Sequence, residues 1–243
     1  IMSEFKLPTE IVELPSKGLL YSEESGLKSG KIEMKYMTAR EEDILTNQSY
    51  ISKGIVLDKL MQSLIVSEIN YNKLLIGDKN AIMVAARILG YGSEYSFDYN
   101  GTNETVDLSL LENKEIDESL FEEGSNNFSF TLPHSKNHIT FKILTHEDEK
   151  NIQRELDGLK KINKENSPEL STRLKYMITS VEDKSEKKDI REFVDNYLLA
   201  KDSRALREYV RKIQPDVDLT FFPDDAENRV TLPIGVEFFW PDV

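Results

Sequence analysis

The sequence contains no cysteine, and this absence excludes several kinds of chemistry. Without thiols the chain has no disulfide bond, no thiolate nucleophile and no cysteine ligand for zinc. Histidine occurs only three times, so imidazole catalysis has few candidates. With 44 Asp and Glu residues, pairs of acids occur everywhere by chance, and no glycosidase pair stands out. We therefore assign no catalytic, cofactor-binding or metal-ligating residue and expect no cofactor.

Long apolar runs and an excess of basic residues are also missing. No stretch approaches the ~20 apolar residues that a membrane span needs. The segment Ile1–Glu13 carries acids and lacks the apolar core of a secretory signal. Lys and Arg number 31 against 44 acids, which gives a formal net charge of −13 that repels nucleic-acid phosphates. We expect an acidic, soluble, cytoplasmic protein that binds no nucleic acid and inserts into no membrane.

The three histidines are candidate metal ligands. His134 and His138 are four residues apart, a spacing that places ligands together on a helix. They flank a predicted hairpin turn, however, and a turn does not present these two positions on one face. We interpret both, together with His146, as surface residues, with a metal site as the less favoured alternative.

Periodicity and turn signals predict mixed helices and strands in both halves of the chain. Thr38 with Glu41, and Thr145 with Asp148, have the spacing of a capping box that opens a helix. Asn100-Gly101 between alternating runs predicts a tight hairpin. In the first half we predict a strand at 32–37, helices from Thr38, at 57–65 and at 78–89 with Asp78 as cap, and a hairpin at 95–108. In the second half we predict strands at 128–132 and 139–144 and short strands after Pro215. Between them we predict four helices: one from Thr145, one from Ser167-Pro168 through the apolar stripe that ends at Val181, one at 190–198 and one that ends at 213.

The order of these elements is similar in the two halves. Ile32 to Thr38 parallels Ile139 to Thr145, and a run from Leu74 parallels one from Leu198 without a gap. We predict an α+β fold of two related helix-plus-β-hairpin units, that is, an internal duplication, with an extended N-terminal arm; coincidental periodicity is the alternative. The predicted divisions are an arm at 1–30, a first unit at 31–111, a linker at 112–127 and a second unit at 128–243 with a C-terminal aromatic tail.

Two segments carry large apolar side chains outside any regular pattern, and exposed aromatics are unfavourable unless something covers them. We hypothesise that both segments contact a partner; packing on the chain's own core is the alternative. A pair of arginines beside Asp202 is a further candidate patch, unless Asp202 simply caps a helix with its arginines in solvent. The candidate partner-binding residues are Leu14, Pro15, Lys17, Leu19, Leu20, Tyr21, Arg204, Arg207, Phe238, Phe239, Trp240 and Pro241.

Four motifs, in this order along the chain, resemble one family of phage proteins. They are Leu14-Pro15-Ser16-Lys17-Gly18-x-x-Tyr21, Met37-Thr38-x-Arg40-Glu41-Glu42, Arg87-x-x-Gly90-Tyr91-Gly92-x-x-Tyr95 and Phe238-Phe239-Trp240-Pro241. Together they resemble the base plate hub and hub assembly proteins of T-even-type contractile-tail phages, over nearly the whole chain. Members of that family often carry a Cys-x-x-Cys pair on the hairpin after the third motif. This chain has Phe97-Asp98-Tyr99-Asn100-Gly101 there, so no zinc knuckle is implied.

The resemblance implies a non-enzymatic phage tail protein that acts through protein–protein contacts. It would take part in assembly of the base plate hub, either as a transient chaperone or as a subunit retained in the virion tail. The implied partners are other tail and base plate proteins, the implied location is the host cytoplasm during assembly, and the chain could form an oligomer within the assembly. The alternative is a tail-associated cell-wall-degrading enzyme or its accessory domain.

Overall fold

A computed structural model describes residues 6–165, 167–223 and 227–240, which form an α+β fold. In this part of the chain the strands are Thr9–Glu13 (β1), Lys31–Lys35 (β2), Glu94–Tyr99 (β3), Thr102–Asp107 (β4), Phe128–Thr131 (β5), His138–Phe141 (β6), Ile178–Val181 (β7), Thr220–Phe221 (β8) and Val230–Thr231 (β9). The helices are Ala39–Leu45 (α1), Gln48–Ser52 (α2), Val56–Leu64 (α3), Ile76–Tyr91 (α4), His146–Ile162 (α5), Glu169–Met177 (α6), Lys187–Asn196 (α7) and Ala200–Ile213 (α8).

The sheets are small and antiparallel. The pairs are β1 with β2, β3 with β4, and β8 with β9, while β5, β6 and β7 form a three-stranded sheet. Side chains from both halves of the chain contribute to one hydrophobic cluster. The predicted α+β class is confirmed. The internal duplication stays a prediction.

The segment predicted as an extended arm is paired and packed. Residues Thr9–Glu13 form β1, which runs antiparallel to β2 with Val12 opposite Ile32. The loop that follows approaches itself closely: a Cβ on Gly18 would lie 2.2 Å from the Lys28 carbonyl oxygen, and Gly18 has a φ of +78°. Only glycine fits such a position without strain. The loop is therefore part of the folded body.

Both predicted capping boxes are present. Glu41 accepts hydrogen bonds from the Thr38 N–H and hydroxyl, and Asp148 accepts them from the Thr145 N–H and hydroxyl. Burial opposes ionisation of Glu41, yet hydrogen bonds from Lys35, Thr38 and Ser63 lower its pKa to about 2. These bonds fix the start of α1 against β2 and α3, as the sequence spacing indicated.

The hairpin at Asn100-Gly101 is also confirmed. The two residues join β3 to β4 with φ values of 52° and 84°, the left-handed pair that a two-residue hairpin turn requires. Rings of β3 contact the C-terminal part of the chain, with Tyr95 4.8 Å from Phe238 and Phe97 5.1 Å from Phe221 between centroids. The hairpin of the first half thus packs against the last residues of the second.

The stretch from Leu170 to Val181 was predicted as one helix, and this prediction is wrong at its end. The helix α6 stops at Met177, and Ile178–Val181 form β7 against β6. Thr140 on β6 and Ser180 on β7 are joined through their hydroxyls at 2.5 Å. A β-branched run beside the edge of β6 that β5 does not occupy is stabilised by the ladder it forms there, and this outweighs the helical spacing.

Two aspartates predicted as helix caps occupy a different position. Asp78 and Asp202 are each the third residue of a helix, α4 and α8, and the N-caps are Leu75 and Leu199. Their carboxylates accept hydrogen bonds from turns distant in sequence, and both of those turns begin with Leu-Pro. A carboxylate near a helix N-terminus is favoured by the helix dipole, so each aspartate fastens a turn to a helix start.

Candidate functional site

A groove of about 290 Å³ lies between α6 and α8. Four side chains on each helix line it, and on each helix they follow the spacing i, i+3, i+4 and i+7, which puts them on one face. On α6 they are Leu170, Arg173, Leu174 and Met177, and on α8 and its C-terminal end they are Arg207, Val210, Arg211 and Gln214. We call this surface the arginine groove.

The floor of the arginine groove is apolar. Leu174, Met177 and Val210 are buried beneath it, and Leu170 at its rim is 48% exposed. The buried side chains belong to the main hydrophobic cluster, so α6 and α8 are held in place from below. The groove is therefore a fixed feature of the fold, and the apolar surface that solvent reaches in it is chiefly that of Leu170.

Its arginines differ in their partners. Arg173 donates to Glu149 on α5 at 3.0 Å. Within the described part of the chain, the Arg207 side chain donates only to the Ser203 carbonyl, at 3.3 Å within its own helix. Arg211 has no side-chain partner among the described residues, and neither Arg207 nor Arg211 forms an ion pair there. Two guanidinium groups without an ion pair among the described residues therefore lie beside apolar side chains, in a chain with more acids than bases.

Lys114, in the segment predicted as a linker, also lines the groove and is held next to α8. Asn113 bridges to Val217, the Lys114 N–H donates to the Asp216 carbonyl at 2.9 Å, and the Lys114 ammonium donates to the Arg211 carbonyl at 2.9 Å. Asp216 contributes a carboxyl group to the lining; burial raises its pKa, and it accepts a hydrogen bond from Asn80. This carboxyl is held by α4 and does not pair with Arg207 or Arg211.

The predicted partner contacts in the N-terminal segment need correction. Leu14, Pro15, Leu20 and Tyr21 are buried in the chain's own core, which was the alternative that the sequence left open. Leu14, Leu20 and Tyr21 belong to the main hydrophobic cluster, so their apolar surface is covered by the chain itself. Leu19 is half-buried, and Lys17 is exposed and pairs with Glu118 at 2.5 Å.

The C-terminal aromatic segment is divided in the same way. Phe238 and Phe239 are buried, at 1% and 0% exposure, in a short 3-10 helix, so they too are core residues and not partner contacts. Trp240 is 48% exposed and stays a candidate contact. Pro241 lies outside the described residues.

The arginine pair predicted beside Asp202 is also divided. Arg204 is exposed and pairs with Glu208 one turn along α8, whereas Arg207 lines the arginine groove. Sequence reasoning missed Arg173 and Arg211. The signal that could have found them is the shared spacing on two helices, in which arginines take places that would otherwise be apolar.

A second polar cluster joins the two halves of the chain. The Lys79 ammonium donates to Asp58 at 2.7 Å and to Nδ1 of His146 at 3.2 Å, and Tyr71 donates to Asp58 at 2.9 Å. Because an ammonium only donates, Nδ1 must accept, and the ring proton lies on Nε2. His146 is 4% exposed, so its interpretation as a surface residue is wrong; His134 and His138 are exposed. Burial and the Lys79 charge lower the pKa of His146, which favours the neutral ring.

Within residues 6–165, 167–223 and 227–240, no group of three His, Cys, Asp or Glu side chains is arranged to hold a metal ion. In the same ranges, none of the helices has the length and apolar character needed to cross a membrane. Comparison with protein-family models, with curated proteins and with solved structures found no match to this chain.

Proposed function

We propose that the chain is a non-enzymatic phage tail protein that acts in the assembly or structure of the contractile-tail base plate hub. Its four ordered sequence motifs support the family, and the arginine groove supports action through protein–protein contacts. The groove is the observation on which the proposal depends, because it is an apolar surface with unpaired cations on an acidic protein.

The chemistry of the groove is that of a protein contact. Arginine is enriched in protein–protein interfaces, where its planar group pairs with carboxylates and stacks on apolar neighbours. Arg207 and Arg211 form no ion pair with any described residue, so a partner's carboxylates would not have to displace one. The apolar floor adds burial of a kind that central contacts in interfaces use.

The alternative function, a cell-wall-degrading enzyme, would need a cleft with catalytic carboxyl groups. A wall-degrading glycosidase places two carboxyl groups on either side of the scissile bond. The arginine groove holds one carboxyl group, that of Asp216, and it is bound by Asn80. The arginine groove therefore lacks the carboxyl pair that this alternative needs.

Complementation tests this proposal. In cells infected by a phage from which the gene for this chain has been deleted, we expect the intact chain to restore base plate hubs, counted by electron microscopy. We expect an Arg207→Glu, Arg211→Glu variant to fail. The matched control is Arg40→Glu, Lys188→Glu, which changes the net charge equally at exposed positions outside the groove. Hubs at normal numbers without the chain, or clearing of a peptidoglycan layer by the pure protein, would refute the proposal.

A further inference from the structure

We infer that the arginine groove binds an acidic peptide segment of a partner protein, in which carboxylates pair with Arg207 and Arg211 and a large apolar side chain contacts the groove floor. This inference rests on the proposed function and names the chemistry of the partner at that site.

The spacing of the two arginines selects the charge pattern of the ligand. Arg207 and Arg211 are one helical turn apart on α8, so their side chains start roughly 5–6 Å from each other. Carboxylates on alternate residues of an extended peptide, or on successive turns of a helix, have a similar separation. Each guanidinium can take a carboxylate through two parallel hydrogen bonds.

The floor selects the second part of the ligand. Leu174, Met177 and Val210 form the apolar floor between the two helices, and their packing in the main hydrophobic cluster fixes its shape. Leu170 at the rim lies where it would cover one side of an inserted residue. A peptide that is acidic but carries no leucine or aromatic residue would leave the exposed Leu170 and the small accessible part of the floor in contact with water.

A polyanion such as RNA or DNA fits the groove less well than a peptide. Single-stranded nucleic acid is bound through a long basic track and through bases stacked on aromatic rings. None of the residues that line the arginine groove is aromatic, and the chain carries a net charge of −13. A short segment with a few carboxylates meets only the local positive patch, because charges farther away are screened within about 8–10 Å at physiological salt.

The test is fluorescence anisotropy with the whole chain and a labelled peptide, Gly-Glu-Glu-Leu-Phe-Glu-Glu-Gly. We expect saturable binding that weakens with added salt and weakens at least about tenfold for Arg207→Glu, Arg211→Glu. Arg40→Glu, Lys188→Glu should bind like the parent chain. Peptides with glutamine in place of glutamate, or with serine in place of leucine and phenylalanine, should each bind at least about tenfold more weakly. Leu170→Glu, an exposed change, should also weaken binding. Circular dichroism verifies that the variants are folded.

Several outcomes would overturn the inference. Equal binding to the parent chain and the groove variant would place the peptide elsewhere. Tighter binding of an unstructured oligonucleotide that the groove variant loses would identify a polyanion site. Sedimentation as a dimer that the groove variant breaks would identify a second copy of the chain as the occupant. The two experiments also separate this inference from the proposed function. If the groove variant fails in hub assembly but no peptide binds, this inference is wrong and the proposed function stands. If the peptide binds but hub assembly does not need the groove, the proposed function is wrong.

Discussion

Replacing Asp78 with alanine should detach the N-terminal loop from α4. The buried carboxylate accepts the Ser16 N–H at 2.9 Å, the Ser16 hydroxyl at 2.6 Å and the Tyr21 hydroxyl at 2.6 Å. The Tyr21 oxygen in turn accepts the Leu75 N–H at 2.9 Å, at the start of the helix. One side chain therefore satisfies three donors and fixes a fourth through Tyr21.

The magnitude follows from those donors. A buried donor left without a partner costs about 1–3 kcal/mol. Three such donors set an upper value near 9 kcal/mol, but water can enter the space that the carboxylate leaves and satisfy some of them. We expect Asp78→Ala to lower the free energy of unfolding by about 3–5 kcal/mol, a large share of the ~5–15 kcal/mol typical of a domain. Tyr21→Phe loses one hydroxyl and should cost about 1–3 kcal/mol.

Urea unfolding followed by circular dichroism measures both losses. Asp202→Ala is the matched control, because Asp202 also lies third in its helix, but its donors, the His134 and Ser135 N–H groups and the Ser135 hydroxyl, belong to a part-buried turn where water can replace the carboxylate. Its loss should be smaller than that of Asp78→Ala. A loss below about 1 kcal/mol for Asp78→Ala, or a larger loss for the control, would refute the reasoning.

Three further predictions concern the core, the backbone and pH. Phe239→Ala should lower the free energy of unfolding, measured with denaturant, by about 3–5 kcal/mol, because the Phe239 ring is fully buried. Trp240→Ala should cost less than half of that, because Trp240 is 48% exposed. Equal losses would contradict this difference in burial. Gly77→Ala should destabilise the chain, because a Cβ there would lie 1.8 Å from the Pro215 carbonyl oxygen. Gly158→Ala, in open space within α5, should stabilise the chain by about 0.5–1 kcal/mol. Thermal melts in which both changes have the opposite sign would contradict the packing described for these two glycines. The pKa of His146 is lowered in the folded state, so below about pH 6.5 the unfolded chain binds more protons than the folded chain. The free energy of unfolding should therefore fall as the pH falls through this range. A His146→Gln variant with the same pH profile would contradict this.

Local signals in the sequence were sufficient where the structure depends on neighbours in the chain. Thr38 with Glu41 opens a helix and Asn100-Gly101 closes a hairpin because each is complete within a few residues. Ile178–Val181 could not be predicted in this way, because the helical spacing continues through them and only pairing with β6 makes them a strand.

The site was harder to predict than the fold. Leu14 and Phe238 carry the same signal whether they pack on the chain or on a partner, since both need large apolar side chains, and only their burial distinguishes the two. Arg207 was identified beside Asp202, but its setting depends on α6, a helix about 30 residues earlier in the chain. The groove exists only when both helix faces are brought together.

Photo-crosslinking in infected cells tests the central claim most directly. A benzophenone amino acid in place of Leu170, at the exposed rim of the arginine groove, should crosslink to an acidic segment of a base plate hub protein, identified by mass spectrometry. The same amino acid in place of the exposed Arg40 should give no such product. Crosslinks to hub proteins from both positions alike, or none from the groove while hubs assemble, would contradict the account.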